Sequence, residues 1–324
     1  MSAGKDLPVN SRHLVDPELL PVLEQFPDSE LSRESLPALR EQLRAMLPPA
    51  QTDAAIEVKT VAGPAGGPDI QLRVLRPKDA AAAPLPVIYH IHGGGFVAGT
   101  ADQGDMSNGP LAIELNCAIV SVDYRLAPET VFPGSIEDCY AGLAWVFANA
   151  AEQGFDTARI GVMGESAGGG LAAALALLAR DRGEYPLAFQ QLIYPMLDDR
   201  NGSGAEPHPF VGEYVWTPEK NRFGWEALLG HAPGGADVSP YAAPARATDL
   251  SGLPPTFLYA GALDLFLEEN LDYARRLARA GVPIEFHLFP GAFHAFELQA
   301  DAYVSRQARQ LSQSALRRFL APRT

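Results

Sequence analysis

Short apolar runs recur along the chain at LPVIYHIH (85–92), CAIVSVDYR (117–125), RIGVMG (159–164), AFQQLIY (188–194), PTFLYAG (255–261) and IEFHLFP (284–290). Between most of them lie helical patterns, such as EDCYAGLAWVFANA (137–150) and LEENLDYARRLARAG (267–281). Strands apolar on both faces that alternate with helices predict a mainly parallel sheet covered by helices on both sides. Ahead of this rhythm, AAIEVKTVAG (54–63) and DIQLRVLRP (69–77) alternate apolar and polar residues on either side of a Gly/Pro-rich turn, which predicts an antiparallel hairpin and makes the sheet mixed. The first 50 residues are broken by proline, but Leu36, Leu39, Leu43 and Leu47 recur at helical spacing. Residues 197–235, rich in Gly, Pro and aromatics, read as one long loop that covers something.

With 324 residues, 47% of them hydrophobic, the chain can bury a large core. Its formal charge of -14 disfavours nucleic acid and anionic membrane surfaces and leaves a neutral or cationic small molecule as the easier partner. The N-terminal stretch lacks the apolar core of a signal peptide, and no run reaches a membrane span, so the expectation is a cytoplasmic protein without membrane insertion. Cys117 and Cys139 lie in apolar surroundings and read as buried thiols. No metal-ligand spacing appears; adjacent Asp198 and Asp199 sit in a turn-like segment, and no metal site is expected.

The chemistry concentrates at GESAG, Gly164 to Gly168, which has the form G-x-S-x-G between an apolar run and the helix former LAAALALLAR. A sharp strand-to-helix turn there would lift the Ser166 hydroxyl clear of the sheet. Gly164 and Gly168 are expected to flank the tight turn. Serine needs a base and an acid later in the chain. Asp264 falls just past the run PTFLYAG, and His294 falls in the loop past IEFHLFP, whereas His287 lies within that strand and reads as packing. In this scheme His294 takes the Ser166 proton and Asp264 orients it. Glu268 and Glu269 read first as solvated or capping carboxylates. Upstream, His92 is followed by Gly93, Gly94 and Gly95, which leave backbone N–H groups bare; with the Ala167 N–H they could hold a developing oxyanion.

These blocks resemble the hormone-sensitive-lipase-like group of α/β-hydrolases, including its bacterial esterases: HGGGF (92–96), SVDYRLAPE (121–129), GESAGGG (164–170), YPMLDDR (194–200), DLFLEE (264–269) and GAFHAF (291–296). The resemblance implies a three-layer α/β-hydrolase core with a mostly parallel mixed sheet of about eight strands. It implies a helical cap from residues 1–50 and a second cap segment at about 197–235 within a catalytic domain of 51–324. It also implies Ser166, Asp264 and His294 as catalytic residues, Gly94, Gly95 and Ala167 as oxyanion donors, and Gly169 and Gly170 as the positions that let the helix start lie close to the HGGG loop. Leu265 stands where the family often has Pro, and Glu165 where Asp or Thr is frequent. Asp123, Arg125 and Glu129 read as a buried or semi-buried scaffold for the turn after their strand.

The function expected is hydrolysis of small, short-acyl esters through an acyl-enzyme, without cofactor, with Phe96, Tyr214, Trp216 and Phe293 lining an apolar pocket. The same three residues would suit an amidase, a formamidase or a lactone hydrolase. A non-catalytic small-ligand receptor, as in plant hormone receptors resembling this group, is disfavoured because His294 is kept. The edge strand IEFHLF is where two copies would pair as a homodimer.

Overall fold

The computed structural model describes residues 10–24, 30–45, 52–79, 84–202 and 208–322. Eight strands form one sheet in the order β1-β2-β4-β3-β5-β6-β7-β8. They are β1 (Ala55–Val61), β2 (Ile70–Arg76), β3 (Leu85–Ile91), β4 (Ala118–Asp123), β5 (Phe155–Glu165), β6 (Gln190–Ile193), β7 (Thr256–Gly261) and β8 (Ile284–Phe289). The β1–β2 hairpin is antiparallel, with Val61 opposite Ile70, and β2 meets β4 antiparallel. From β4 to β8 every pairing is parallel.

Period-two alternation divides each central strand between two cores. Val87, Tyr89 and Ile91 face one apolar cluster while Ile88 faces the other; Val120 and Val122 are likewise opposed to Ile119, and Val162 to Met163. The first face is covered by α4 (Gly134–Ala148), α6 (Ala167–Arg182) and α8 (Leu267–Arg279), the opposite face by α3 (Asp105–Leu115) and α9 (Tyr303–Leu320). The result is the three-layer α/β-hydrolase sandwich. Parallel strands all point their C-terminal ends to one rim, so the loops after β3, β5, β7 and β8 meet there.

Two pieces of chain cover that rim. The N-terminal piece contains two 3₁₀ turns (Ser11–Leu14 and Pro17–Leu19), the single turn α1 (Leu20–Leu23) and α2 (Leu36–Ala45). Leu47, expected on the stripe of α2, lies outside the described residues. Val15, Leu19 and Val22 pack with Phe289, Phe293 and Phe296. Leu36 packs with Val97, Ala98, Ala127 and Ala227. The second piece is not the one long loop that its composition suggested, for it holds α7 (Pro218–Leu229), a helix within the segment that the resemblance placed in a helical cap. Thr217 caps α7 through Lys220 N–H, Pro218 takes its first turn, and Gly230 closes it with a left-handed backbone. A short α5 (Ala150–Gln153) precedes β5.

Asp123, Arg125 and Glu129 do not form one buried scaffold. Asp123 accepts the Ala101 N–H at 3.1 Å, and Arg125 pairs with fully buried Asp138 at 2.7 Å. Glu129 is exposed and binds Arg40 of α2. Cys117 and Cys139 are buried free thiols. His287 is half-buried on the edge strand, 2.8 Å from Glu285. Asp199 is buried against Arg246 at 2.5 Å, and Asp198 pairs with Arg200 at 2.7 Å. Among the described residues no helix is long and apolar enough to cross a membrane, and no group of three or more metal-ligating side chains gathers.

Candidate active site

Ser166 stands between β5 and α6 with φ 56° and ψ −122°, a conformation hostile to a side chain. Its surroundings hold it there. The Ser166 N–H donates to the Ile193 carbonyl at 2.9 Å, and the Ser166 carbonyl accepts from Gly170 N–H at 3.0 Å and Met196 N–H at 2.9 Å. A Cβ on Gly164 would lie 2.3 Å from the Gly168 carbonyl oxygen, so the turn closes only with glycine there. The later glycines differ from the sequence expectation. It is Gly168 that lies against the strand entering the HGGG loop, where a Cβ would stand 2.1 Å from the Ile91 carbonyl oxygen. Gly169 and Gly170 face Pro195 and Met196 after β6 instead.

The rim brings Ser166, His294 and Asp264 together. His294 Nε2 lies 2.9 Å from Ser166 Oγ, and Nδ1 lies 2.8 Å from Asp264 Oδ2. Asp264 is fully buried and its Oδ1 accepts the Phe266 N–H at 2.9 Å. Because a carboxylate only accepts, Nδ1 carries the imidazole proton and Nε2 is left to accept from the serine hydroxyl. Ser166 is 8% exposed and His294 5%, so the reacting pair is nearly shielded from water.

The HGGG loop passes beside the elbow: a Cβ on Gly93 would be 3.4 Å from Ser166 Cβ. Gly94 and Gly95 take φ of +119° and +62°. Val97 and Ala98 N–H both donate to the Gly94 carbonyl, turning the loop back on itself. Among the described residues the N–H groups of Gly94, Gly95 and Ala167 have no acceptor, and Ala167 opens the 16-residue α6, whose dipole favours negative charge there. His92 secures the loop from below. Burial pushes its imidazole down to about 4, so the ring is neutral at pH 7 and its Nδ1–H donates to the Gly93 carbonyl at 2.8 Å. It stacks on Tyr124 at 4.3 Å, and the Tyr124 hydroxyl donates to the His92 carbonyl at 2.9 Å.

The four aromatics expected around a pocket fall into two pairs. Phe96 and Phe293 are fully buried; Phe96 packs against Trp225 at 5.1 Å, and Phe293 against Tyr214 at 6.0 Å. Trp216 is half-buried over Gly95, where a Cβ would meet its Cη2 at 2.2 Å, and its ring is 6.5 Å from that of His294. Its Nε1–H donates to Asn221 Oδ1 at 3.2 Å, which ties the indole to α7.

Sequence reasoning missed several neighbours. Tyr194, directly after β6, meets the His294 ring edge-on at 4.8 Å, and Phe266 does so at 5.1 Å. Glu165, beside the nucleophile candidate, accepts from His90 at 3.0 Å, and buried His90 also touches Ser121 at 3.0 Å. Glu269 is buried rather than solvated, although Glu268 is exposed as expected. It accepts from the N–H groups of Leu197 at 2.6 Å and Asp198 at 3.3 Å and from Asn201 at 2.6 Å, and so pins the start of the second covering piece. The available signal was Asn270: Phe266, Asn270, Tyr273 and Leu277 share one inward helical face, and a polar residue on such a face marks buried polar chemistry beside it.

A family model described as alpha/beta hydrolase fold matches residues 88–298. Carboxylesterase NlhH of Mycobacterium tuberculosis is 37% identical over 297 residues, covering 89% of this chain and 91% of that protein. A bacterial heroin esterase has a similar structure, with a TM-score of 0.88, 41% identity, and coverage of 97% of this chain and 100% of the other. Esterase LipW of Mycobacterium marinum superposes with a TM-score of 0.85 at 34% identity, over 96% of this chain and 98% of its own.

Proposed function

Because the chain belongs to the hormone-sensitive-lipase-like group of α/β hydrolases and is an ester hydrolase, we propose that Ser166, His294 and Asp264 perform that hydrolysis on small, short-acyl carboxylic esters. The observation that carries this reading is the continuous relay from Asp264 through His294 to Ser166, at 2.8 and 2.9 Å, beside three backbone N–H groups that have no acceptor among the described residues.

Ser166 Oγ attacks the acyl carbon as its proton passes to His294 Nε2. Negative charge collects on the former carbonyl oxygen and is met by the N–H groups of Gly94, Gly95 and Ala167, each commonly worth about 2.7–4 kcal/mol of barrier. As the tetrahedral adduct collapses, the bond to the leaving alkoxy oxygen breaks and His294 Nε2–H protonates it. Water then adds to the acyl-serine, giving its proton to His294, and the acid departs as that proton returns to Ser166 Oγ. No step calls on a cofactor.

The preference for small esters rests on Trp216, which occupies the space over Gly95 and beside His294. Phe96 and Phe293 act as packed supports for the Gly95 and His294 loops, with Tyr214 behind Phe293. In the same reading residues 1–50 and 197–235 form the cap on a catalytic body of 51–324. The test is p-nitrophenyl ester turnover across acyl chains from acetyl to palmitoyl. Wild-type protein is expected to peak at the short end, and Ser166→Ala to lose about 10⁴-fold or more in kcat with the fold intact. Full activity in that variant refutes the nucleophile, and a peak at long chains refutes the substrate class.

A further inference from the structure

Beside the His294 imidazole stands a wall of rings. Tyr194 meets the imidazole edge-on at 4.8 Å, and Tyr259 and Phe296 stand 5.8 and 6.4 Å from Tyr194. Tyr194 itself has φ +33°, a left-handed backbone uncommon for a residue with a side chain, and its N–H is held by the Tyr259 carbonyl at 2.8 Å. Into this wall the chain returns a carboxyl only three residues after the histidine. Glu297 Oε1 accepts the Tyr259 hydroxyl, while Oε2 is sealed from solvent and, among the described residues, has no donor at hydrogen-bonding distance, although the Tyr194 hydroxyl also acts on the carboxyl. A half-satisfied carboxyl among phenylalanines and tyrosines is a poor device for stability, since an apolar residue would fill the place without desolvation.

We propose that Glu297 is a positioning residue for catalysis, one that favours the charged form of His294 from behind the Tyr194–Tyr259 wall and does not touch the substrate. This rests on His294 being the base. The hydrolysis passes twice through an imidazolium, and Asp264 stabilises it from the Nδ1 side; Glu297 adds a second negative charge in the same shielded volume, where water screens little.

The groups facing Glu297 come from several elements. Tyr259 belongs to β7, Tyr194 follows β6, and His294 lies in its own loop. Glu165 at the elbow acts on both phenols, and Asp264 after β7 acts on Tyr194. The N-terminal piece presents Val15, Leu19 and Val22 to this cluster, and α9 presents Ala308 and the Ser305 hydroxyl, which donates to the Phe296 carbonyl. Burial pushes the Glu297 carboxyl up to about 7, against the opposing pull of the Tyr259 hydroxyl, its own backbone N–H, charge on His294 and the Tyr194 hydroxyl. In the proposal the same attraction acts on the reaction: an ionised Glu297 favours the imidazolium that forms during hydrolysis. Removing that charge therefore moves the acid limb of the pH–rate profile to lower pH and slows the chemical step.

The experiment is the pH dependence of kcat and kcat/KM on p-nitrophenyl butyrate for the full chain and for Glu297→Gln. The expected result is an acid-limb midpoint lower by about 0.5 pH unit or more, with kcat reduced roughly 3- to 10-fold above neutrality and KM within about twofold. Glu297→Asp should recover part of both effects. Tyr259→Phe removes a donor that favours the ionised carboxyl, so it should match wild-type kcat only at higher pH. An unmoved midpoint in Glu297→Gln overturns the proposal, whatever happens to its melting temperature. If that variant does not fold, an unchanged profile in Tyr259→Phe overturns it equally. Absence of ester turnover in the wild-type chain would instead remove the reading of His294 on which the proposal stands.

Discussion

At the elbow, position is set by backbone against backbone: Gly164 on the Gly168 carbonyl, Gly168 on Ile91 and His92, Gly170 on the Met196 carbonyl, and Ser166 held by Ile193, Gly170 and Met196. In the two covering pieces, scattered backbone bonds such as Asp16 N–H to the Gly291 carbonyl at 3.0 Å and Phe132 N–H to the Leu228 carbonyl at 2.7 Å are joined by many side chains that reach across. Arg40 donates to the carbonyls of Val97 at 2.7 Å and Ala127 at 2.9 Å, and the Ser11 hydroxyl donates to Glu213 at 2.6 Å. Asn221 donates to the Asn201 carbonyl at 3.0 Å, and Glu269 holds Leu197 and Asn201. Backbone contacts leave no rotamer through which an added atom can be accommodated, whereas a side-chain tether can be lost one bond at a time. The elbow should therefore fail as a whole, and the cover by degrees.

The sharpest break of this contrast is Gly168→Val. Its Cβ would stand 2.1 Å from one carbonyl oxygen and 2.4 Å from another, with no flexible neighbour to yield. The expected outcome is loss of folded protein by circular dichroism, or a folded chain whose kcat is lower by at least about 10³-fold. Near-normal turnover would show the elbow to be as forgiving as the cover.

A middle-sized effect belongs to Glu269. Removing it in Glu269→Ala leaves the buried Leu197 N–H without its acceptor, and denaturant unfolding should register a loss of about 1–3 kcal/mol. Its pH dependence has a definite sign. Burial holds the Glu269 carboxyl well above its ordinary value, against the hydrogen bonds from Leu197, Asn201 and Asp198. A raised carboxyl favours the folded state most when protonated, so its contribution is full below the unfolded value and is lost as pH rises through the folded one. Melting temperatures measured from acid to alkaline pH should fall less steeply in Glu269→Gln than in wild type, and equal slopes would contradict the assignment.

The smallest effect expected is that of Arg40→Ala. Its carboxylate partner Glu129 is exposed, so most of the loss comes from two carbonyl bonds, about 1 kcal/mol by chemical denaturation. Short-ester turnover should change by less than about threefold. A collapse of activity would mean that the cover is coupled to the elbow as tightly as the elbow is to itself.

The same contrast explains what the amino-acid order disclosed. Strand alternation, the hairpin and the strand–Ser166–helix junction are local patterns, so all eight strands and the elbow were legible. Asp264 and His294 were legible because each closes a strand on the shared rim. The helix α7 carried its signals openly, with Thr217 and Pro218 at its start and Gly230 at its end, but the surrounding glycines and aromatics masked them. Phe96 looked like pocket lining and is fully buried, since only packing decides which side of an aromatic faces a cavity. Glu297 and Tyr194 become neighbours only when separate loops fold onto one rim, and Glu269 meets Leu197 and Asn201 only when α8 packs against the chain after β6. No periodicity within any of those loops encodes that meeting.

The left-handed backbone of Ser166 also bears on how such a protein changes over generations. Glycine would occupy φ 56° and ψ −122° with less strain than serine does. Selection for thermal endurance alone would therefore drift toward Ser166→Gly, a more durable chain that, in the mechanism proposed above, has no hydroxyl with which to form the acyl ester. Keeping serine there requires that each generation be screened for what the molecule does as well as for how long it lasts.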